Sequence, residues 1–133
     1  MITKEHKNIT IFMPDTENRT DILESKDQIS SVAWFGFHYP QAKIVATVNE
    51  RNSSGRDMQR LKRQGLVTGF PDLSIYLDGR SFFIEMKRSN ATASAIKKDQ
   101  VIQLNDLQDQ GFPVAVCFGL PAFKLCVGNW FGE

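Results

Sequence analysis

Blocks of apolar and polar positions along the chain predict a mixture of strands and helices. Short apolar or β-branched runs predict four strands, at residues 43–48, 73–77, 81–87 and 113–118. Helical spacing or composition predicts helices from about 20 to 36, at 56–64, at 94–110 and in the segment 121–131. This order predicts an α/β fold, a mixed β-sheet flanked by helices.

The start of the chain is harder to assign from its pattern. Residues 1–20 are polar apart from Ile9–Met13 and are expected to form an N-terminal arm or an edge strand, ahead of a single domain at 21–133. Thr20 or Asp21 is the expected N-cap of the first helix. An apolar face at helical spacing follows, made of Ile22, Ile29, Val32 and Ala33.

Composition sets broad limits on the class of protein. The 133 residues are 41% hydrophobic and 23% charged, which is ordinary for one globular domain. The sequence has neither a signal-peptide pattern nor an apolar run long enough for a membrane span, so a cytoplasmic protein is expected. Net charge is +1, but residues 43–98 hold eleven Lys/Arg against five Asp/Glu. This asymmetry favours one basic face for a polyanion, although a solvated surface is an equal alternative.

The candidate chemistry lies in the segment 69–89, GFPDLSIYLDGRSFFIEMKRS. Asp78-Gly79 is a strong type I′ turn signal, so the flanking strands form a hairpin that pairs Leu77 with Arg80. The same register puts Leu73 opposite Ile84 and Asp72 opposite Glu85. Side chains two apart on a strand share a face, so Lys87 lies beside Glu85.

Two carboxylates at this range repel each other unless one is protonated or a cation bridges them. An oxygen-only pair suits Mg²⁺ or Mn²⁺, and the ammonium of Lys87 could neutralise charge on a phosphoryl oxygen. The pattern therefore fits metal-assisted hydrolysis of a phosphodiester. The alternative is a plain salt bridge of Lys87 with Asp72 or Glu85.

Further candidates lie outside the hairpin. Gln100 interrupts an apolar helix face and could reach Lys87 or a water in the site, or be satisfied locally. Glu24, one turn before Gln28, is the best third carboxylate, with Glu50 as a competitor. Basic side chains that could follow a phosphate backbone are Arg56, Arg60, Lys62, Arg63, Arg88, Lys97 and Lys98.

Together these residues resemble the PD-(D/E)xK nuclease pattern, and in detail the virus-type replication–repair nuclease (VRR-NUC) domain. The similar features are GLVTGFPD at 65–72, the E-x-K of Glu85 to Lys87, Gln100 on the next helix, GFPVAVCF at 111–118 and Asn49 after the first strand. The resemblance covers about residues 21–119 and implies a restriction-endonuclease-like core.

The resemblance also implies roles for individual residues. Asp72, Glu85 and the Met86 carbonyl would bind a divalent metal, Glu24 would be the acidic residue of the first helix, and Lys87 and Gln100 would complete the catalytic set. It further implies a phage-type enzyme that cuts branched DNA, such as four-way (Holliday) junctions, as a homodimer. Two alternatives stay open: a catalytically inactive DNA-binding module, and a restriction-type nuclease that acts on duplex DNA.

Overall fold

The computed structural model describes residues 1–48 and 55–132. Six strands form one sheet: β1 (Ile2–His6), β2 (Ile9–Met13), β3 (Lys43–Ala46), β4 (Leu73–Leu77), β5 (Arg80–Lys87) and β6 (Val114–Phe118). The four α-helices are α1 (Glu24–His38), α2 (Gly55–Arg63), α3 (Lys98–Asp109) and α4 (Leu120–Phe131). The predicted α/β class is confirmed, and so is the predicted order of helices and strands from α1 onward. None of the helices in the described ranges is long and apolar enough to cross a lipid bilayer.

The sheet is mixed, with strand order β1-β2-β6-β5-β4-β3. Strand β6 lies in the centre, parallel to both β2 and β5, while the β1–β2, β3–β4 and β4–β5 pairs are antiparallel. Helices cover both faces. Phe35 of α1 and Phe123 of α4 pack on one face, and Leu104 of α3 packs on the other.

The N-terminal segment belongs to this sheet. Strand β1 lies at the edge of the sheet, and Ile9–Met13 forms the second strand, between β1 and β6. Ile9 and Ile11 are fully buried and pack under α3. A tight turn at Lys7 and Asn8, both with positive φ, joins β1 to β2. The domain boundary drawn at residue 20 stays a prediction.

Helix α1 differs from its predicted form. It begins at Glu24, and Thr20 and Asp21 lie before it, so neither is the N-cap. The face turned toward the sheet carries Asp27, Ser31 and Phe35, whereas Ile22, Ile29 and Ala33 are exposed and Val32 is half-buried. Ser31 can be buried because its hydroxyl donates to the Asp27 carbonyl at 2.7 Å.

Helix α3 is shorter than its predicted range of 94–110. A single 3₁₀ turn spans Ala93–Ala95, and the α-helix begins at Lys98. The boundary has a local cause, because the Lys97 backbone N–H donates to Oε1 of Gln100 at 2.9 Å. This contact caps the helix at Lys97 and leaves Ile96 buried just ahead of it.

Candidate active site

The β4–β5 hairpin has the predicted register. Asp78 and Gly79 both have positive φ, as a type I′ turn requires. Leu77 pairs with Arg80 and Leu73 with Ile84. Asp72 directly precedes Leu73, and Glu85 directly follows Ile84. The turn therefore brings the two carboxylates together at the open end of the hairpin.

The two faces of β5 have different surroundings. Phe82, Ile84 and Met86 point into the core beneath α1 and α4. Phe83 packs on the opposite face with residues of α3, and Glu85 and Lys87 share its parity. Glu85 and Lys87 therefore face the side of the sheet on which α3 packs.

Glu24 joins the two hairpin carboxylates. It is the first residue of α1, and one carboxylate oxygen from each of Glu24, Asp72 and Glu85 lies within 4.8 Å of the others. The sequence alternative, Glu50, and the motif residue Asn49 lie outside the described residues. The sequence prediction of Glu24 as the third acidic side chain is thus consistent with this geometry.

Burial and like charge together change the acidity of this cluster. Asp72 is 9% exposed and Glu85 2% exposed. Desolvation raises the pKa of Glu85 to about 9, and the charge of Asp72 and a hydrogen bond with it act in the same direction. Lys87 lowers this pKa but does not offset the other effects. Without a bound cation, these effects favour the protonated form of Glu85.

Lys87 and Gln100 both contact Glu85. Lys87 Nζ lies 3.8 Å from Glu85 Oε2, so the salt bridge considered from the sequence is present. One ammonium does not balance the charges of both Glu24 and Asp72, however, even when Glu85 is protonated. Gln100 Nε2 donates to the same Oε2 at 3.1 Å, while its Oε1 accepts from the Lys97 backbone. Gln100 thus ties Glu85 to the capped end of α3, rather than holding Lys87 as one sequence interpretation suggested.

The loop with the G-x-P-D motif packs closely against the backbone of the first turn of α3. Gly69 has φ +83, and a Cβ there would lie 2.6 Å from the Asp99 carbonyl carbon and 2.9 Å from the Gln100 nitrogen. A side chain at this position would push the loop away from α3. Glycine therefore lets the loop and the first turn of α3 pack together, with Asp72 on one and Gln100 on the other.

The carboxylates fit a hard divalent cation. Three close oxygens from carboxylates, in a groove of about 360 Å³, match the ligand preference of Mg²⁺ or Mn²⁺. The raised pKa of Glu85 marks an unbalanced negative charge that a cation would neutralise. Met86 lies between Glu85 and Lys87, and its amide donates to Asp72 Oδ2 at 2.8 Å. That its carbonyl is a further metal ligand stays a prediction.

The groove also has lining residues that sequence analysis missed. Thr68, Phe70 and Asp99 line it on the α3 side. A second groove, of about 390 Å³, continues past Glu24 and Asp72 toward Thr47, Gln28 and Arg88. Asp99 directly precedes Gln100 in the first turn of α3. This adjacency in the sequence could have indicated that Asp99 lies near the site.

The predicted DNA-contacting residues fall into three groups. Arg56, Arg60, Lys62 and Arg63 are exposed on α2, where Arg60 also lies 3.6 Å from Asp57. Lys97 and Lys98 are exposed at the start of α3, and Lys97 lines the groove. Arg88 differs, because it is half-buried and its Nη2 donates to the Asp21 carbonyl at 2.6 Å.

A mixed sheet flanked by helices, with an Asp and an E-x-K at the end of a hairpin, defines the PD-(D/E)xK class of nuclease folds. Comparison with family models narrows this assignment, because residues 16–120 match the VRR-NUC domain. The chain belongs to the VRR-NUC family, which places it among the nucleases, with DNA as the substrate that the family implies.

Comparison with solved structures agrees on the fold. A "VRR_NUC domain protein" superposes with a TM-score of 0.67 over 85% of this chain and 91% of that one, at 19% sequence identity. At this identity the likeness supports the fold alone. No curated protein matches the chain.

Proposed function

We propose that the chain is a metal-dependent DNA endonuclease that hydrolyses phosphodiester bonds in branched DNA. The observation that carries this proposal is the convergence of Glu24, Asp72 and Glu85 beside the ammonium of Lys87. A buried cluster of like charges is costly for a folded protein. A binding role for a cation explains why such a cluster is present.

In this proposal each polar side chain has a separate task. Glu24, Asp72, Glu85 and the Met86 carbonyl hold Mg²⁺ or Mn²⁺, which when bound supplies Lewis-acid stabilisation of the phosphoryl group. Lys87 places its positive charge beside the phosphoryl oxygens as they gain negative charge. Gln100 fixes the rotamer of Glu85 through the 3.1 Å hydrogen bond.

Substitution of site residues tests catalysis. Asp72→Ala and Lys87→Ala should abolish cleavage in the presence of Mg²⁺, a loss of about 10³-fold or more, while DNA binding persists. Asp109→Ala is a matched control, because Asp109 is an exposed carboxylate at the far end of α3. Cleavage that survives either site substitution would exclude this assignment and favour a binding module.

The substrate class rests on the exposed basic side chains of α2 and of the start of α3. Arg56, Arg60 and Arg63 form one stripe at helical spacing, which suits a phosphate backbone and reads little sequence. The test compares cleavage of four-way junctions, flaps and linear duplex of equal length, each with Mg²⁺ and with Mn²⁺. Equal rates on linear duplex would contradict the preference for branched DNA.

We further propose that two copies act together, because one site cuts one strand at a time. An exposed apolar face supports this: Ile29 is 70% exposed and Phe37 82% exposed, and both lie on one side of α1. Ile29 lines a groove together with Ala46 of β3, and β3 is an edge strand in the described part of the sheet. Exposed apolar patches and open strand edges are common features of protein interfaces.

Sedimentation tests the dimer. The wild-type chain should sediment as a dimer at micromolar concentration, and Ile29→Glu should shift it to a monomer. Ile102→Glu is the control, since Ile102 is an exposed apolar residue on α3, which packs on the other face of the sheet. A wild-type monomer at that concentration, or loss of the dimer in both variants, would contradict the proposed interface.

A further inference from the structure

The position of Glu24 raises a structural question about how the site is assembled. Asp72 and Glu85 are positioned by the hairpin. Glu24 is the first residue of α1 and follows an irregular segment. Residues 20–23 of that segment are exposed. The N-cap residue, Leu23, provides no side-chain cap among the described residues. Packing of apolar side chains therefore does little to hold residues 20–23.

Two hydrogen bonds from the end of β5 hold this segment. Arg88 Nη2 donates to the Asp21 carbonyl at 2.6 Å, and the Thr20 backbone N–H donates to Ser89 Oγ at 3.2 Å. Arg88 and Ser89 directly follow Lys87 in the chain. The strand that carries Glu85 and Lys87 thus also binds the segment that leads to Glu24.

Ser89 and Arg88 are themselves anchored in the fold. Ser89 is buried, and a Cβ on Gly119 would lie 3.0 Å from Ser89 Cβ, which shows how closely the two residues pack. The Gly119 amide donates to the Lys87 carbonyl at 3.0 Å. Arg88 is half-buried and is one of the residues that line the groove beside Glu24 and Asp72. Through its hydrogen bond to the Asp21 carbonyl, Arg88 therefore couples the position of residue 21 to that of β5.

We infer that Arg88 is a positioning residue that acts through Glu24, rather than a contact for the DNA backbone. By holding the Asp21 carbonyl, it keeps the start of α1 at the distance that lets Glu24 join Asp72 and Glu85. Ser89 has the same effect through Thr20. This inference rests on the proposed metal site, and it changes the role that the sequence suggested for Arg88.

Metal binding by the free protein is the direct test, because it needs neither DNA nor turnover. Arg88→Met keeps the aliphatic stem but removes the donors, so it should weaken Mn²⁺ binding in calorimetry about tenfold, the usual effect of losing a residue that orients a metal ligand. Arg88→Lys keeps a donor and should restore most of that loss. Arg80→Ala, which removes an exposed arginine at the turn end of β5, should leave Mn²⁺ binding unchanged.

A double-substitution cycle separates positioning from general damage. In a Glu24→Ala background, Arg88→Met should weaken Mn²⁺ binding less than twofold further, because its effect passes through Glu24. An equal tenfold loss in both backgrounds would overturn the inference. So would unchanged Mn²⁺ binding combined with weaker DNA binding, which would make Arg88 a phosphate contact.

Two further measurements keep the outcome decisive. If Arg88→Met does not fold, Ser89→Ala is the alternative variant, because it removes the hydrogen bond with Thr20. It should weaken Mn²⁺ binding in the protein that retains Glu24 but not in the Glu24→Ala variant. Asp72→Ala tests the metal site itself. If Asp72→Ala leaves Mn²⁺ binding intact, the proposed function fails independently of Arg88.

Discussion

Asp27 and Glu85 are two buried carboxyl groups in different surroundings. Asp27 is 5% exposed and Glu85 2% exposed, and burial raises the pKa of both. Asp27 sits in α1, where it accepts a hydrogen bond from the Leu120 backbone N–H at the start of α4. Glu85 instead faces Asp72, Glu24 and Lys87.

The difference separates a structural acid from a candidate metal ligand. Asp27 meets a backbone donor at a helix N-terminus, an arrangement that ties two helices together. Glu85 meets other carboxylates, and their charge adds to the desolvation that raises its pKa. Burial of an acid is therefore weak evidence of function, whereas convergence of buried acids beside a groove is stronger evidence.

The largest expected effect is the loss of activity in Glu85→Gln. This change keeps the shape of the side chain but removes a ligand charge, so Mg²⁺-dependent cleavage should fall by about 10³-fold or more. Mn²⁺ binding, measured by calorimetry, should weaken in parallel. If the variant kept both Mg²⁺-dependent cleavage and Mn²⁺ binding, Glu85 would not be a metal ligand and would be a structural acid like Asp27.

Next in size is Gly69→Ala, which tests how Glu85 is held. The added Cβ would collide with the Asp99 and Gln100 backbone, displacing Gln100 from Glu85. Activity should fall about 10- to 100-fold, in an assay of cleavage rate against Mg²⁺ concentration.

Gly65→Ala is the matched control for the backbone. Gly65 also has positive φ, but no heavy atom among the described residues lies within 4 Å of its added Cβ. It should cost about 1 kcal/mol of stability with little change in rate. Equal losses of activity in the two variants would show that backbone strain, not the contact with α3, explains the effect.

The hairpin and its charges could be predicted from the sequence because the information is local. Asp78-Gly79 sets the turn, the turn sets the register, and the register brings Asp72 to Glu85. The third acid, Glu24, was the preferred candidate from its helical position, but Glu50 stayed open as a competitor, since the approach of Glu24 depends on how α1 packs.

The orientation of α1 could not be predicted, for a physical reason. Its apolar residues lie on more than one side, so hydrophobic spacing alone favoured the face of Ile29 over the face of Phe35. The buried face includes Asp27 and Ser31, and their burial depends on hydrogen bonds that the sequence does not reveal. The roles of Gly69 and Arg88 likewise depend on contacts between distant segments.

A third prediction concerns pH and stability without metal. Because the pKa of Glu85 is raised to about 9 from 4.5, the folded state keeps a proton that the unfolded chain has lost. This contribution is fully present below about pH 4.5 and is lost as pH rises toward 9. The metal-free protein should therefore melt at lower temperature at pH 8 than at pH 6.

Glu85→Gln should flatten that dependence. At pH 8 it should stabilise the metal-free protein by about 1–3 kcal/mol, since each pKa unit corresponds to about 1.4 kcal/mol. Mg²⁺ should raise the melting temperature of the wild type more at pH 8 than at pH 6, because the cation competes with the proton. Thermal unfolding with and without Mg²⁺ measures both, and equal slopes in wild type and variant would contradict the assignment.

The smallest expected effect is that of Asp27→Asn, which completes the comparison. The amide oxygen of asparagine can still accept from the Leu120 N–H, so the link between α1 and α4 should persist. Oδ2 of Asp27 has no hydrogen-bond partner among the described residues, so the new amide nitrogen replaces an already unsatisfied atom. Stability should change by less than about 1 kcal/mol and cleavage rate by less than about threefold. Denaturant unfolding and a Mg²⁺-dependent cleavage assay measure the two quantities. A loss of activity comparable to that of Glu85→Gln would mean that Asp27, too, belongs to the catalytic machinery, and burial with a raised pKa would then have been sufficient evidence of function.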